Sequence, residues 1–208
     1  MRYVSTRGGG GTVPFEQALL SAYAPDGGLY VPESLPRLTA TQLTSWAQLD
    51  VGHVCARLLE LFTELTAKEC EGIGVAAFAS FNTCDSADDD DDPPPPAMPL
   101  TPVGDMWLLD ASLGPTLAFK DVGQQVVARL LEHYLSRRAA HANIVIETSG
   151  DTGPAAIAAV RGLENVSIFC IYPRSRVTPE QELQMVTVHE RNVTVFRTDG
   201  DTDEQARL

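Results

Sequence analysis

Apolar positions fall into two textures along the chain, separated by a run of aspartates and prolines. Before the run, residues 14–24 place Phe15, Ala18, Leu19, Ala22 and Tyr23 on one face at the 3.6-residue period. Pro14 sits in the first turn, where a missing N–H costs little, so the spacing predicts an amphipathic helix. Pro25-Asp26-Gly27-Gly28 carries turn chemistry, proline fixing φ and glycine admitting positive φ, and Leu29-Tyr30-Val31-Pro32 reads as a short extended piece. A second helix is predicted over residues 51–66, with Val54, Leu58, Leu59, Leu61, Phe62 and Leu65 as its stripe. His53 and Cys55 on it read as packing or surface residues.

After the run the signals alternate. Residues 106–110 read as a strand, and residues 121–139 as a helix in which Val122, Val126, Val127, Leu130, Leu131, Tyr134 and Leu135 repeat at helical spacing. Arg137 and Arg138 suit the dipole at its C-terminus. Residues 143–147 form a β-branched strand, 152–161 an alanine-rich helix ending at Gly162, and 166–172 another apolar strand. Thr178-Pro179-Glu180-Gln181 has the form of a capping box and opens a helix to His189, followed by a strand over 193–197. Strands apolar on both faces, alternating with helices, argue for a parallel sheet with right-handed crossovers. The predicted class is α/β. Another helix starts near Asp199-Gly200-Asp201-Thr202-Asp203, and a sheet with only this much of itself would leave an apolar edge and faces uncovered; the expectation is a fragment of a longer protein.

The separating run, Asp85 and Asp88 to Asp92 followed by Pro93-Pro94-Pro95-Pro96, repels itself and prefers extended polyproline geometry. It predicts a disordered or solvated insert, a spacer in the plain reading and a dock for a proline-binding partner in the other. Charge narrows the partners. Fifteen basic against twenty-eight acidic residues give a net charge of −13, which argues against nucleic acid and against anionic membranes. Cys55, Cys70, Cys84 and Cys170 form no C-x-x-C pair and read as free thiols in a reducing compartment. The N-terminus has no apolar leader and no apolar run is long enough to cross a bilayer, so the expected location is cytoplasmic.

Two stretches can do chemistry. Thr148-Ser149-Gly150-Asp151-Thr152-Gly153 lies between a predicted strand and a helix start, where helix N–H groups and hydroxyls can hold a carboxylate or phosphate. In open α/β sheets ligands collect at this end of the strands. The plain alternative is a capped strand-to-helix turn. No G-x-G-x-x-G follows the strand and no lysine follows the glycines as a Walker loop demands. Lys120 stands beside Phe119, after the bend at Gly114-Pro115 and at the start of a helical pattern. A solvated surface lysine is the plain reading there. A partly desolvated lysine has a lowered pKa and attacks an aldehyde as a free amine, which opens Schiff-base chemistry. No Cys, His, Asp or Glu set has metal-ligand spacing, so no metal is expected, and no G-x-S-x-G elbow exists. His133, His141 and His189 lie near helix ends and read as dipole partners.

Gly114-Pro115-Thr116-Leu117-Ala118-Phe119-Lys120-Asp121 together with the 148–153 stretch resembles the threonine synthase family, fold-type II enzymes dependent on pyridoxal 5'-phosphate. Tyr3-Val4-Ser5-Thr6-Arg7-Gly8 and Gly27-Gly28-Leu29-Tyr30-Val31-Pro32 resemble that family's N-terminal domain, and Ile171-Tyr172-Pro173-Arg174 and Asp199-Gly200-Asp201 its later signatures. The resemblance implies a threonine-synthase-type N-terminal domain, small and mainly helical, over residues 1–84, the acidic and proline-rich insert over 85–99, and the first part of a parallel-sheet α/β catalytic domain over 100–208. It implies that Lys120 forms the internal aldimine and then shuttles protons while the cofactor ring serves as electron sink. The implied reaction converts O-phospho-L-homoserine and water to L-threonine and phosphate. Thr148, Ser149, Gly150, Asp151, Thr152 and Gly153 would hold the substrate carboxylate, with Ser149 and Asp151 also flanking the cofactor, and Asp121 would cap and orient. The family usually carries Phe-His before the Gly-Pro-Thr, where this chain has Ser112-Leu113. Its glycine-rich phosphate cradle and its partner for the pyridine nitrogen belong to a later stretch, so the 208 residues alone are expected to bind cofactor poorly and to be inactive. Two rivals remain: a threonine-synthase-like phospho-lyase with the same lysine, and a non-catalytic truncated protein acting through its N-terminal domain or its insert.

Overall fold

The computed structural model describes residues 1–81, 96–174 and 176–199. Most of the expected insert, together with Cys84 and the residues after Asp199, lies outside the described residues. The chain divides into two units, Met1–Ala76 and Ala77–Leu208.

The first unit begins with strand β1 (Arg2–Ser5), the centre of an antiparallel sheet between β2 (Val13–Pro14) and β3 (Tyr30–Pro32). Helix α1 is only Phe15–Leu20, shorter than the periodicity predicts. Pro14 is taken by the β2 ladder opposite Arg2, and Ala22 adopts a left-handed φ of 54°, which ends the helical geometry. Helix α2 (Ala40–Trp46) opens on a reciprocal Thr39–Gln42 capping box. Helix α3 (Val51–Phe62) is capped by Asp50, whose carboxylate accepts from the His53 amide. It stops four residues before the predicted end at 66, because Thr63 turns extended and Thr66 starts helix α4 (Ala67–Phe78) by exchanging bonds with Glu69. The core gathers Tyr3, Val13, Ala56, Leu59, Leu65, Cys70 and Ile73. The Tyr3 hydroxyl donates to the Phe62 carbonyl at 2.8 Å, tying strand to helix.

The second unit carries a hairpin, β4 (Leu100–Val103) and β5 (Met106–Leu109), turning at Gly104. Helix α5 (Lys120–Arg137), strand β6 (Ala142–Glu147), helix α6 (Thr152–Val160), strand β7 (Val166–Pro173), helix α7 (Pro179–Val186) and strand β8 (Val193–Thr198) then alternate. The three strands pair in parallel in the order β6-β7-β8. The predicted α/β class is the observed one. Helix α7 ends three residues short of His189, where the Thr187 hydroxyl and amide both bond the Leu183 carbonyl.

The sheet's two faces differ. Val166, Ile168, Cys170 and Tyr172 of β7 are buried, and Gly153 of α6 and Met185 of α7 close over Cys170. Val166, Ile168 and Met185 each contribute about 1.5–3 kcal/mol by leaving water. On the other face, Val145 is 66% exposed and Phe196 47%. Strands that read as apolar on both faces are therefore covered by helices on one face only among the described residues. No helix among them is long and apolar enough to cross a membrane.

Candidate active site

The Lys120 loop is built around a buried carboxylate. Asp121, fully buried on the first turn of α5, accepts from the Thr116 amide and from the Thr116 hydroxyl, each at 2.8 Å. That pair folds residues 116–121 back on themselves, with a tight turn from Gly114 to Leu117 and a left-handed φ of 61° at Leu117. Gln184 of α7 adds a bond from its Nε2 to the Thr116 carbonyl. The loop so fixed presents Lys120 at the helix start, its Nζ 4.8 Å from the centroid of the Phe119 ring, a cation–π distance.

The 148–153 loop is shaped from inside by Thr148. The Thr148 side chain is buried, and its oxygen accepts from the amides of Gly150 at 3.1 Å and Gly153 at 2.9 Å. Gly150 has φ +155°, and a Cβ there would meet the Gln181 amide at 2.6 Å; a Cβ on Gly153 would meet Thr148 Cγ2 at 2.5 Å and Met185 Sδ at 2.8 Å. Both glycines are thus required by position. The loop turns Ser149 and Asp151 outward and leaves Thr152 half-buried. No acceptor among the described residues takes the amides of Ser149, Asp151 or Thr152. These N–H groups at the start of α6 are the loop's free donors for an anion.

The two stretches meet. Lys120 Nζ lies 4.0 Å from Asp151 Oδ2, while Asp151 Oδ1 accepts from Gln181 Nε2 at 2.7 Å. Beside them opens a cleft of about 640 Å³ lined by Phe119, Asp151, Gln181, Gln184, the Thr116–Phe119 turn and residues 108–112. Ser112 bends onto Asp110, its amide and hydroxyl both donating to Oδ1 and holding that carboxyl below its usual range. Among the described residues no three His, Cys, Asp or Glu side chains gather as metal ligands.

Residues 2–78 match the model of the threonine synthase N terminus. The chain is 38% identical over 205 residues to threonine synthase of Pseudomonas aeruginosa and 39% identical over 207 residues to threonine synthase-like 2 of Rattus norvegicus, covering 98% of itself in both cases and 42% and 41% of those relatives. Its structure superposes on that of pyridoxal-phosphate-bound threonine synthase from Brucella melitensis with a TM-score of 0.88 at 37% identity, over 100% of this chain and 43% of that one. Nearly the whole chain is therefore similar to threonine synthases, and residues 2–78 match that family's N terminus. The chain spans well under half the length of these relatives.

Lys120 and the 148–153 loop, the two stretches that the sequence marks for chemistry, are brought together by the fold. Thr148, Gly150 and Gly153 are turned to the loop's interior, whereas Ser149 and Asp151 are exposed and Thr152 is half-buried. Sequence reasoning did not identify Gln181 or Gln184 as parts of the site. Gln181 was legible as a capping residue, and its Oε1 does accept from the Thr178 amide at 2.9 Å; its second bond, to Asp151, crosses from α7 to α6 and has no local signal.

Proposed function

We propose that these residues belong to a pyridoxal-phosphate-dependent threonine synthase, which converts O-phospho-L-homoserine and water to L-threonine and phosphate. The observation that carries the reading is the approach of Lys120 to the 148–153 loop, in a chain whose only other lysine is Lys68, exposed on α4. The residues fit the cofactor. Lys120 offers an amine over an aromatic ring at the edge of a cleft, and the amides at the start of α6 offer donors to an anionic group. When bound, pyridoxal phosphate supplies the electron sink that lets a proton leave carbon next to an amino group.

This chain's residues supply the rest. Lys120 would hold the cofactor and, once displaced by the substrate's amine, carry the proton from Cα and return it. The amides of Ser149, Asp151 and Thr152, with the Ser149 and Thr152 hydroxyls, would bind the substrate carboxylate and fix the orientation of Cα toward that amine. Asp151 would keep the lysine near the loop, and Asp121 would act as a positioning residue through Thr116. Phosphate departure from Cγ and water addition at Cβ belong to the complete protein. The test is a chimera in which residues 1–208 replace the matching part of the Pseudomonas aeruginosa enzyme. It should release threonine and phosphate from O-phosphohomoserine, and Lys120→Ala should abolish this; turnover that survives Lys120→Ala contradicts the reading.

The similarity to threonine synthase-like 2 proteins, level with that to threonine synthase, supports a second reading as a phospho-lyase using the same lysine. Product analysis separates the two, a keto acid in place of threonine favouring the lyase.

A further inference from the structure

We propose that a second cavity, sharing Thr116 and Gln184 with the cleft, binds a small carboxylate that also carries a hydrogen-bond donor, an α-amino acid being the simplest member of the class. The cavity has a volume of about 440 Å³ and is lined by Gln125 and Arg129 of α5, Pro154 and Ala158 of α6, and the end of α7 at Thr187 and Val188. Gln125 is 1% exposed, yet its Oε1 accepts no hydrogen bond. Arg129 Nε is buried without an acceptor, and among the described residues no carboxylate pairs with its guanidinium. Arg161 on the same wall is already paired with Glu190.

Buried polar atoms are nearly always satisfied, yet two that belong to residues lining this one cavity, Gln125 Oε1 and Arg129 Nε, have no partner. Gln125 and Arg129 stand at i and i+4 on α5, so their Cβ atoms are neighbours about 5–6 Å apart. One end of a ligand there must accept from Arg129 and the other must donate to Gln125. A carboxylate suits the first, and an ammonium suits the second, helped by the negative end of the α7 dipole at Thr187. Water would satisfy hydrogen bonds but leave the charge unmet. Because Gln184 bonds the Thr116 carbonyl and Thr116 in turn bonds Asp121, a ligand seated here touches the residues that hold the Lys120 loop.

Isotope-labelled protein of the full 208 residues, titrated with glycine and followed by the amide resonances of α5 and residues 115–121, tests the site. Glycine should give saturable shifts at both places. Acetate, which lacks the donor, should bind about tenfold more weakly or less, and methylammonium should not compete. Arg129→Gln and, separately, Gln125→Met should each weaken glycine binding about tenfold or more while the dispersed spectrum persists, and Arg129→Lys should recover part of it. No saturable shift, equal binding of acetate and glycine, or shifts confined to residues 149–152 and indifferent to Arg129→Gln would overturn the proposal.

Discussion

Lys120 Nζ and Asp151 Oδ2 stand 4.0 Å apart, although the lysine opens α5 and the aspartate precedes α6. The carboxylate's other oxygen is held by Gln181, so the lysine faces a fixed partner. Both side chains are partly exposed, which screens the pair. Asp151→Ala should therefore change unfolding free energy by less than about 1 kcal/mol. In the chimera it should lower kcat/KM by about tenfold or more, since the lysine loses its orientation. Denaturant unfolding and steady-state kinetics, measured together, check that split.

The glycine and threonine that shape the 148–153 loop should behave oppositely, as stability residues. Gly153→Ala forces a methyl against Thr148 and Met185 in a packed interior and should cost about 1–3 kcal/mol. Thr148→Val leaves the amides of Gly150 and Gly153 without their acceptor and should cost a similar amount, about 1–3 kcal/mol. A shift of the denaturant midpoint at unchanged slope is the expected record of both.

Asp121 joins helix start to loop. Asp121→Ala removes a fully buried acceptor and strands the Thr116 amide, so a loss of about 2–4 kcal/mol is expected. Hydrogen exchange at the Thr116 amide should quicken more than exchange at β7. Equal quickening throughout would mean that Asp121 serves global stability rather than the loop.

At alkaline pH the second unit should weaken in a defined window. Burial, and then the hydrogen bond to Glu182, push the Tyr172 hydroxyl up to about 12 from its ordinary value near 10. The folded state keeps a proton that the unfolded chain has lost. The share of stability that Tyr172 contributes is therefore full below about pH 10 and falls as pH rises toward 12. Tyr172→Phe should flatten this part of the melting-temperature profile. A residual slope should remain from Cys170, which burial raises to about 12. The same burial, which lifts Cys55 to about 11, makes the native thiols of Cys55 and Cys170 slow toward iodoacetamide at neutral pH until the protein is unfolded.

Local periodicity made α5, the β6–α6–β7–α7–β8 alternation and the Thr178 cap readable, because each depends on residues a few positions apart. The first unit was less legible. Strand β1 has only four residues, and its pairing partners lie ten or more positions away, so nothing in Arg2–Ser5 announces a sheet. Helix α1 was overestimated because a β-ladder took Pro14, a tertiary choice that propensity cannot express. At the site, Lys120 and the hydroxyl-rich loop carried their own signals. Gln181, Gln184 and the inward turn of Thr148 depended on helices packing over one face of the sheet, which no local pattern encodes.

Lys120 is proposed to carry the cofactor. With residues 1–208 in the chimera, pyridoxal phosphate is added, the adduct is reduced with borohydride, and the pyridoxyl-bearing peptide is identified by mass spectrometry. The label should fall on Lys120 and disappear after Lys120→Ala; a label on Lys68, or on any lysine contributed by the Pseudomonas aeruginosa portion while Lys120 stays unmodified, would rule that role out.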